Sequence, residues 1–177
     1  TITRLPLDTS IFRQIYSSSN FTFSDLPFAD FEGMFLKGMD LSNSNLQGAN
    51  LSHTNIAESI LTAANLQDAF IYYANLEGAI LYEANLRHTL WRGGIFRNAN
   101  FSKADLRDAE IRDADLEGLN FEETILNRSN LYYLNFKGAT LRGADLSEAA
   151  VSEVDFSNAN LRKANLYNSH FDFVDLS

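Results

Sequence analysis

Large apolar residues recur along this chain at every fifth position, from Phe21 to Leu176, without one slip of register. All 32 of these positions are large and apolar: 19 Leu, eight Phe, three Ile, Trp91 and Val151. Two residues before each of them, 26 of 32 are Ala, Ser, Thr or Gly, the exceptions being Met34, Met39, Leu119, Leu134, Val154 and Val174. One residue before, 21 of 32 are Asn or Asp. A period of five matches neither the 3.6 of an amphipathic helix nor the 2 of an alternating strand. The pattern instead predicts short extended pieces separated by turns, with the large and small residues of each five pointing inward.

Eight of the nine glycines fall at one phase, two residues after the large apolar position: Gly33, Gly38, Gly48, Gly78, Gly93, Gly118, Gly138 and Gly143. A positive φ is expected there, as in a type II turn. Four such corners would close a square, so that four fives make one coil. Every twentieth residue from Leu26 supports that number, since positions 46, 66, 86, 106, 126, 146 and 166 are all Leu. The uninterrupted A(N/D)LXX pattern, seen in fives that begin Ala64-Asn65-Leu66, Ala74-Asn75-Leu76 and Ala84-Asn85-Leu86, resembles the pentapeptide-repeat family over residues 19–176.

That resemblance implies an all-β fold, a right-handed quadrilateral β-helix of about eight coils. At a strand spacing of about 4.8 Å, eight coils make a rod on the order of 40 Å long. Residues 1–18 read as a lead-in and cap, either a short helix to about Tyr16 or a degenerate first coil, and residues 19–177 as the solenoid. Phe171, Phe173, Val174 and Leu176 make the last coil apolar, an expected surface for a stacked partner, a second copy in a homodimer among them, or for a natural cap beyond the given sequence.

The composition narrows function mainly by exclusion. A net charge of −9 opposes direct binding of nucleic acid or of an anionic membrane. No apolar run approaches the ~20 residues of a membrane helix. No basic-then-apolar leader stands in the given sequence and any leader before Thr1 is not visible, so localisation is left open with the cytoplasm as default. No Cys is present, and His53, His88 and His170 fall on different parts of the coil map, so no metal or cofactor site is expected. No nucleophile, phosphate-loop or dinucleotide motif appears, and a narrow solid rod offers no cleft to desolvate a catalytic acid. A non-catalytic scaffold for protein–protein interaction is therefore expected.

The outer surface supplies candidate sites, because residues one coil apart should stack in columns. Glu77, Arg97, Glu117 and Lys137 alternate in sign and predict a surface ion ladder. Tyr72, Arg92, Arg112 and Tyr132, flanked by Tyr73 and Tyr133, predict Arg–Tyr stacking or a docking strip. Phe70 and Leu90 stand where Asn or Asp is the rule, and should lie beside that strip as an exposed apolar patch. A second patch is expected at Ile60, Ile80 and Tyr82. A protein partner at the Phe70–Leu90 face is the first reading. The family resemblance implies a second, since some members act as acidic DNA mimics that bind a type II topoisomerase, gyrase. Against it, this chain has neither the coil-interrupting loops nor the C-terminal dimerising helix common in those members. A purely structural role is the third, since the resemblance is to a family in which many members, especially the cyanobacterial ones, have no known activity.

Overall fold

The inward phase of each five is observed as the interior of the fold. The computed structural model describes residues 20–177, so the expected cap at 1–18 lies outside the described residues. The large apolar residues and most of the small residues two positions before them are buried in one continuous core, from Phe21 to Phe156. Four fives complete each coil, and every coil lies parallel on the next in a single register. Isolated bridges run Asn20↔Asp40, Asp40↔Ile60, Ile60↔Ile80 and onward on one side, and Asp25↔Asn45, Asn45↔Asn65 and onward on the next.

On one face the pairing is continuous enough to form a six-stranded parallel sheet, in the order β1 (Phe70–Tyr72), β2 (Leu90–Arg92), β3 (Glu110–Arg112), β4 (Asn130–Tyr132), β5 (Ala150–Ser152) and β6 (His170–Asp172). Neighbouring strands are offset by one coil, as in Ile71↔Trp91 and Leu131↔Val151. The sheet covers five coil-to-coil steps, fewer than the eight coils expected for the whole repeat. Elsewhere the flat pieces between corners are too short for strands, and single bridges carry the same register. No helix is present among the described residues.

The backbone donors explain why five is the unit. In a representative five, the N–H of Asn45 donates back to the Ser24 carbonyl, that of Leu46 donates forward to Asn65 (2.7 Å), and that of Gly48 to Gln67 (2.7 Å). The Ala49 N–H closes the corner onto the Leu46 carbonyl (3.0 Å). The one remaining donor, the N–H of Gln47, is taken by the side chain of Asn45 (3.2 Å). This last bond is why Asn and Asp dominate the position before the large residue: the side-chain oxygen accepts from the backbone two residues on, an Asx turn. The same amides also link coils, with Asn85 Nδ2 donating to Asn65 (2.8 Å) and Asn65 Nδ2 to Asn45 (3.1 Å). Small positions occupied by hydroxyls are satisfied too, Thr54 Oγ1 donating to the Phe31 carbonyl (2.7 Å) and Ser59 Oγ to Leu36 (2.9 Å).

The positive φ expected at the glycine phase is present at every corner from Phe23 to Phe173, between 51° and 72°. Twenty-three of these corners are not glycine, including His53, Tyr73 and Tyr133. Each non-glycine residue there costs about 1 kcal/mol or more, so the glycines ease the corner conformation without defining it.

Gly94 is the exception in kind. It stands at a small inward position, with φ at 105°, in the coil that holds Trp91. The Trp91 ring stacks on Phe96 (5.4 Å between centroids, 13° between planes) and leans on Phe101 (5.3 Å). Among the described residues the ladder skips one rung beside it, between Ile95 and Asp115. A Cβ at Gly94 would sit 2.8 Å from the Ala74 carbonyl oxygen and 3.1 Å from the Phe96 ring. Backbone and a packed aromatic cannot yield, so Gly94→Ala is expected to lose about 2–3 kcal/mol in urea unfolding. Gly138→Ala, with nothing within 4 Å of the added carbon, should lose only the ~1 kcal/mol of its φ.

Candidate functional site

The outward positions of the sheet face form three vertical columns with one-coil steps. The first runs Asp30, Asn50, Phe70, Leu90, Glu110, and its register is explicit in Asp30↔Asn50, Asn50↔Phe70 and Phe70↔Leu90. The second runs Glu32, Ser52, Tyr72, Arg92, Arg112, with Tyr72↔Arg92 and Arg92↔Arg112 paired. The third holds the corner residues His53, Tyr73, Gly93, Asp113 and Tyr133. Together with Pro27, Phe28 and Gly48 at one side, all of these but Gly93 line a groove of about 1180 Å3.

Most of the residues expected to form a docking strip therefore meet in one concavity. Phe70 is 39% exposed, Tyr73 52% and Tyr133 53%, while Leu90 is half-buried between its column neighbours. Tyr132 is the member that does not line the groove; Arg112 lies over its ring, 4.6 Å from the centroid. The stacking expected for the other arginine is replaced by an ion pair. Arg92 Nε reaches Asp113 at 3.3 Å, and Arg112 Nε also donates to Glu110 at 2.7 Å.

Local packing holds the aromatics in place. The Tyr73 ring stacks on His53 (5.4 Å, 16°). It also covers Gly93 so closely that a Cβ there would lie 2.8 Å from the ring. Phe28 covers Gly48 in the same way. At the upper end Asp30 and Glu32 both accept from Asn50 Nδ2, at 3.2 and 3.1 Å, and neither has a cationic partner among the described residues. Sequence reading missed Phe28, Asp30, Glu32, His53 and Asp113. The coil map carried the signal, since Asp30 is two coils above Phe70 and His53 one coil above Tyr73.

The other surface expectations divide. Ile60 and Ile80 are bridged and exposed (37% and 40%), as expected, but Tyr82 is tied to Lys103, whose Nζ donates to the phenol oxygen at 3.1 Å. That bond is the main reason the Lys103 ammonium is held above its ordinary pKa. The ion ladder is corrected: none of the six ion pairs among the described residues joins Glu77, Arg97, Glu117 or Lys137. Pairs form elsewhere, as between Arg128 and Asp108, whose hydrogen bond lowers the pKa of the carboxyl. In the last coil Tyr167, Phe173 and Leu176 are exposed, 68%, 81% and 61%. No cluster of three or more His, Cys, Asp or Glu could hold a metal among the described residues, and no helix there is long and apolar enough to cross a membrane.

Known proteins bear on the fold. Pentapeptide repeats, in eight copies, match residues 19–56, 40–81, 59–90, 79–118, 109–148 and 144–177. No curated protein matches in sequence. Among solved structures, HetL, a pentapeptide repeat protein involved in heterocyst differentiation regulation from the cyanobacterium Nostoc sp. strain PCC 7120, superposes with a TM-score of 0.63 at 23% identity, covering 94% of this chain and 93% of that one. Full-length QnrB1, a plasmid-mediated fluoroquinolone resistance protein, gives 0.69 at 19% identity, covering 86% of each. At these identities the likeness concerns the fold, the quadrilateral β-helix.

Interior and groove make separable demands. Trp91 is 1% exposed and its Nε1 donates to Thr89 Oγ1 at 2.9 Å, so Trp91→Ala should cost about 3–5 kcal/mol in thermal or urea unfolding. Phe70→Ser with Leu90→Ser, on the same face but outward, should shift stability by less than about 1.5 kcal/mol.

Proposed function

Because the chain belongs to the pentapeptide-repeat family and its inward residues are committed to the coil, we propose that it is a non-catalytic scaffold that binds a protein partner along the groove around Phe70, Tyr72, Tyr73 and Leu90. One observation carries the reading. Apolar and aromatic side chains depart from the repeat on the same face that bears the groove, and Phe70 there gives up the Asx turn that Asn or Asp provides at that position. Tyr and Arg at the centre of such a surface are the residue types that anchor interfaces. The exposed apolar area lies along a rigid wall, so little ordering entropy is spent by the scaffold on binding.

A second reading has the acidic rod stand in for duplex DNA on a type II topoisomerase such as gyrase. It draws on the net charge of −9 and on the rod-like fold. It is the weaker reading, since Glu110 and Asp113 on the groove face are paired with Arg112 and Arg92 rather than presented as an unbroken acidic row.

The test uses the wild type and the variant Phe70→Ser, Tyr72→Ser, Tyr73→Ser, Leu90→Ser as baits in a bacterial lysate, with circular dichroism and unfolding confirming that both are folded. At least one protein should be recovered by the wild type and lost with the variant. Recovery of the same set by both would rule out the groove as the docking surface. In a supercoiling assay with the same two proteins, inhibition of gyrase by both would favour the DNA-mimic reading over it.

A further inference from the structure

The groove is graded along the rod. At its upper end stand Asp30 and Glu32, two carboxylates held by Asn50 and without a cation among the described residues. Two coils on come Phe70, Tyr72 and Tyr73. Below these the charges are already neutralised within the protein, Arg92 by Asp113 and Arg112 by Glu110. Among the described residues the unpaired charge of the groove thus lies at one end, and its demand is for positive charge. Its unsatisfied apolar demand lies two coils away.

Resting on the docking reading above, we propose that the occupant is an extended peptide segment of a partner protein, with an arginine or lysine over Asp30 and Glu32 and apolar side chains over Phe70, Tyr73 and Leu90. Geometry sets the spacing. Two coils are about 10 Å at strand spacing, which an extended chain covers in about three residues. The basic residue therefore stands about three positions from the first apolar one. The carboxylates form charge-assisted hydrogen bonds with a guanidinium more readily than with any neutral donor, and the aromatic rings nearby favour cations as well. An acidic segment meets repulsion at the upper end and finds no free arginine at the lower. Specificity thus comes from Asp30 and Glu32, and most of the contact area from the aromatic centre.

Fluorescence anisotropy with two labelled octapeptides tests this on the full chain. One carries, in order, a glycine, two arginines, two serines, two leucines and a glycine, so that the second arginine stands three positions from the first leucine; in its counterpart glutamates replace the arginines. The arginine peptide should bind at least tenfold more tightly to the wild type. Asp30→Asn with Glu32→Gln should erase that preference while leaving the fold intact, and Phe70→Ser with Leu90→Ser should weaken both peptides. Equal binding of the two peptides, binding of neither at millimolar concentration, a preference that survives Asp30→Asn with Glu32→Gln, or a wild-type dimer that Phe70→Ser with Leu90→Ser dissociates would each overturn the assignment. The last outcome would make a second copy the occupant. A partner recovered through the groove in the lysate experiment, together with equal binding of the peptides, would sink the basic-peptide assignment alone and leave the docking reading standing.

Discussion

The coil-to-coil backbone hydrogen bond is the constraint on which everything else depends. Each coil must present its donors and acceptors at the height of the next, so the chain has to close a square in four fives and has no freedom to slip. A corner every fifth residue follows, and with it a left-handed backbone at residues as unsuited to it as Phe28, Tyr73 and Ala63. That strain persists because the corner N–H is paired to the next coil, as His53 is to Tyr72 at 2.7 Å. The inward side chains then have one space to fill, a narrow prism, and large and small positions alternate to fill it.

The same constraint creates the site. Stacked coils convert a separation of four fives into contact, so outward side chains from distant parts of the chain act as one surface. Phe70 and Leu90, or His53 and Tyr73, become neighbours with no loop to position them. The scaffold supplies the rigidity and the exceptions supply the chemistry. Aromatics at corners lie on glycines one coil below, Tyr73 on Gly93 and Phe28 on Gly48, which shapes the wall of the groove without disturbing the ladder.

The fold was legible in the sequence almost residue by residue, because a single phase governs burial, turn and pairing. The columns were legible for the same reason, and Phe70, Tyr72, Tyr73, Leu90 and Arg112 occur together as the coil map implies. Partner choice among charged side chains was not. The map ranks the neighbour directly one coil away first, yet long side chains also reach one position to the side of it: Arg92 turns to the corner at Asp113 and Lys37 to the corner at Glu58, while Lys103, itself at a corner, turns to Tyr82 beside Glu83. Arg92 thereby leaves Tyr72 for a carboxylate. In the expected ladder Glu117 instead accepts from Asn135 Nδ2, at 3.3 Å. Concavity was also invisible to a linear pattern, since it depends on Pro27 and Phe28 at one side and Tyr133 at the other.

Native-state hydrogen exchange resolved to single amides tests the central constraint most directly. The N–H groups of the large apolar positions, such as Leu66, Leu86 and Leu106, each bonded to the next coil at 2.7 Å, should be the slowest to exchange. The amides one residue later, held only by Asx side chains or by water, should be the fastest, giving protection with a period of five along the chain. Protection without that period, or rapid exchange at Leu66, Leu86 and Leu106, would contradict a fold held together by its coil-to-coil register.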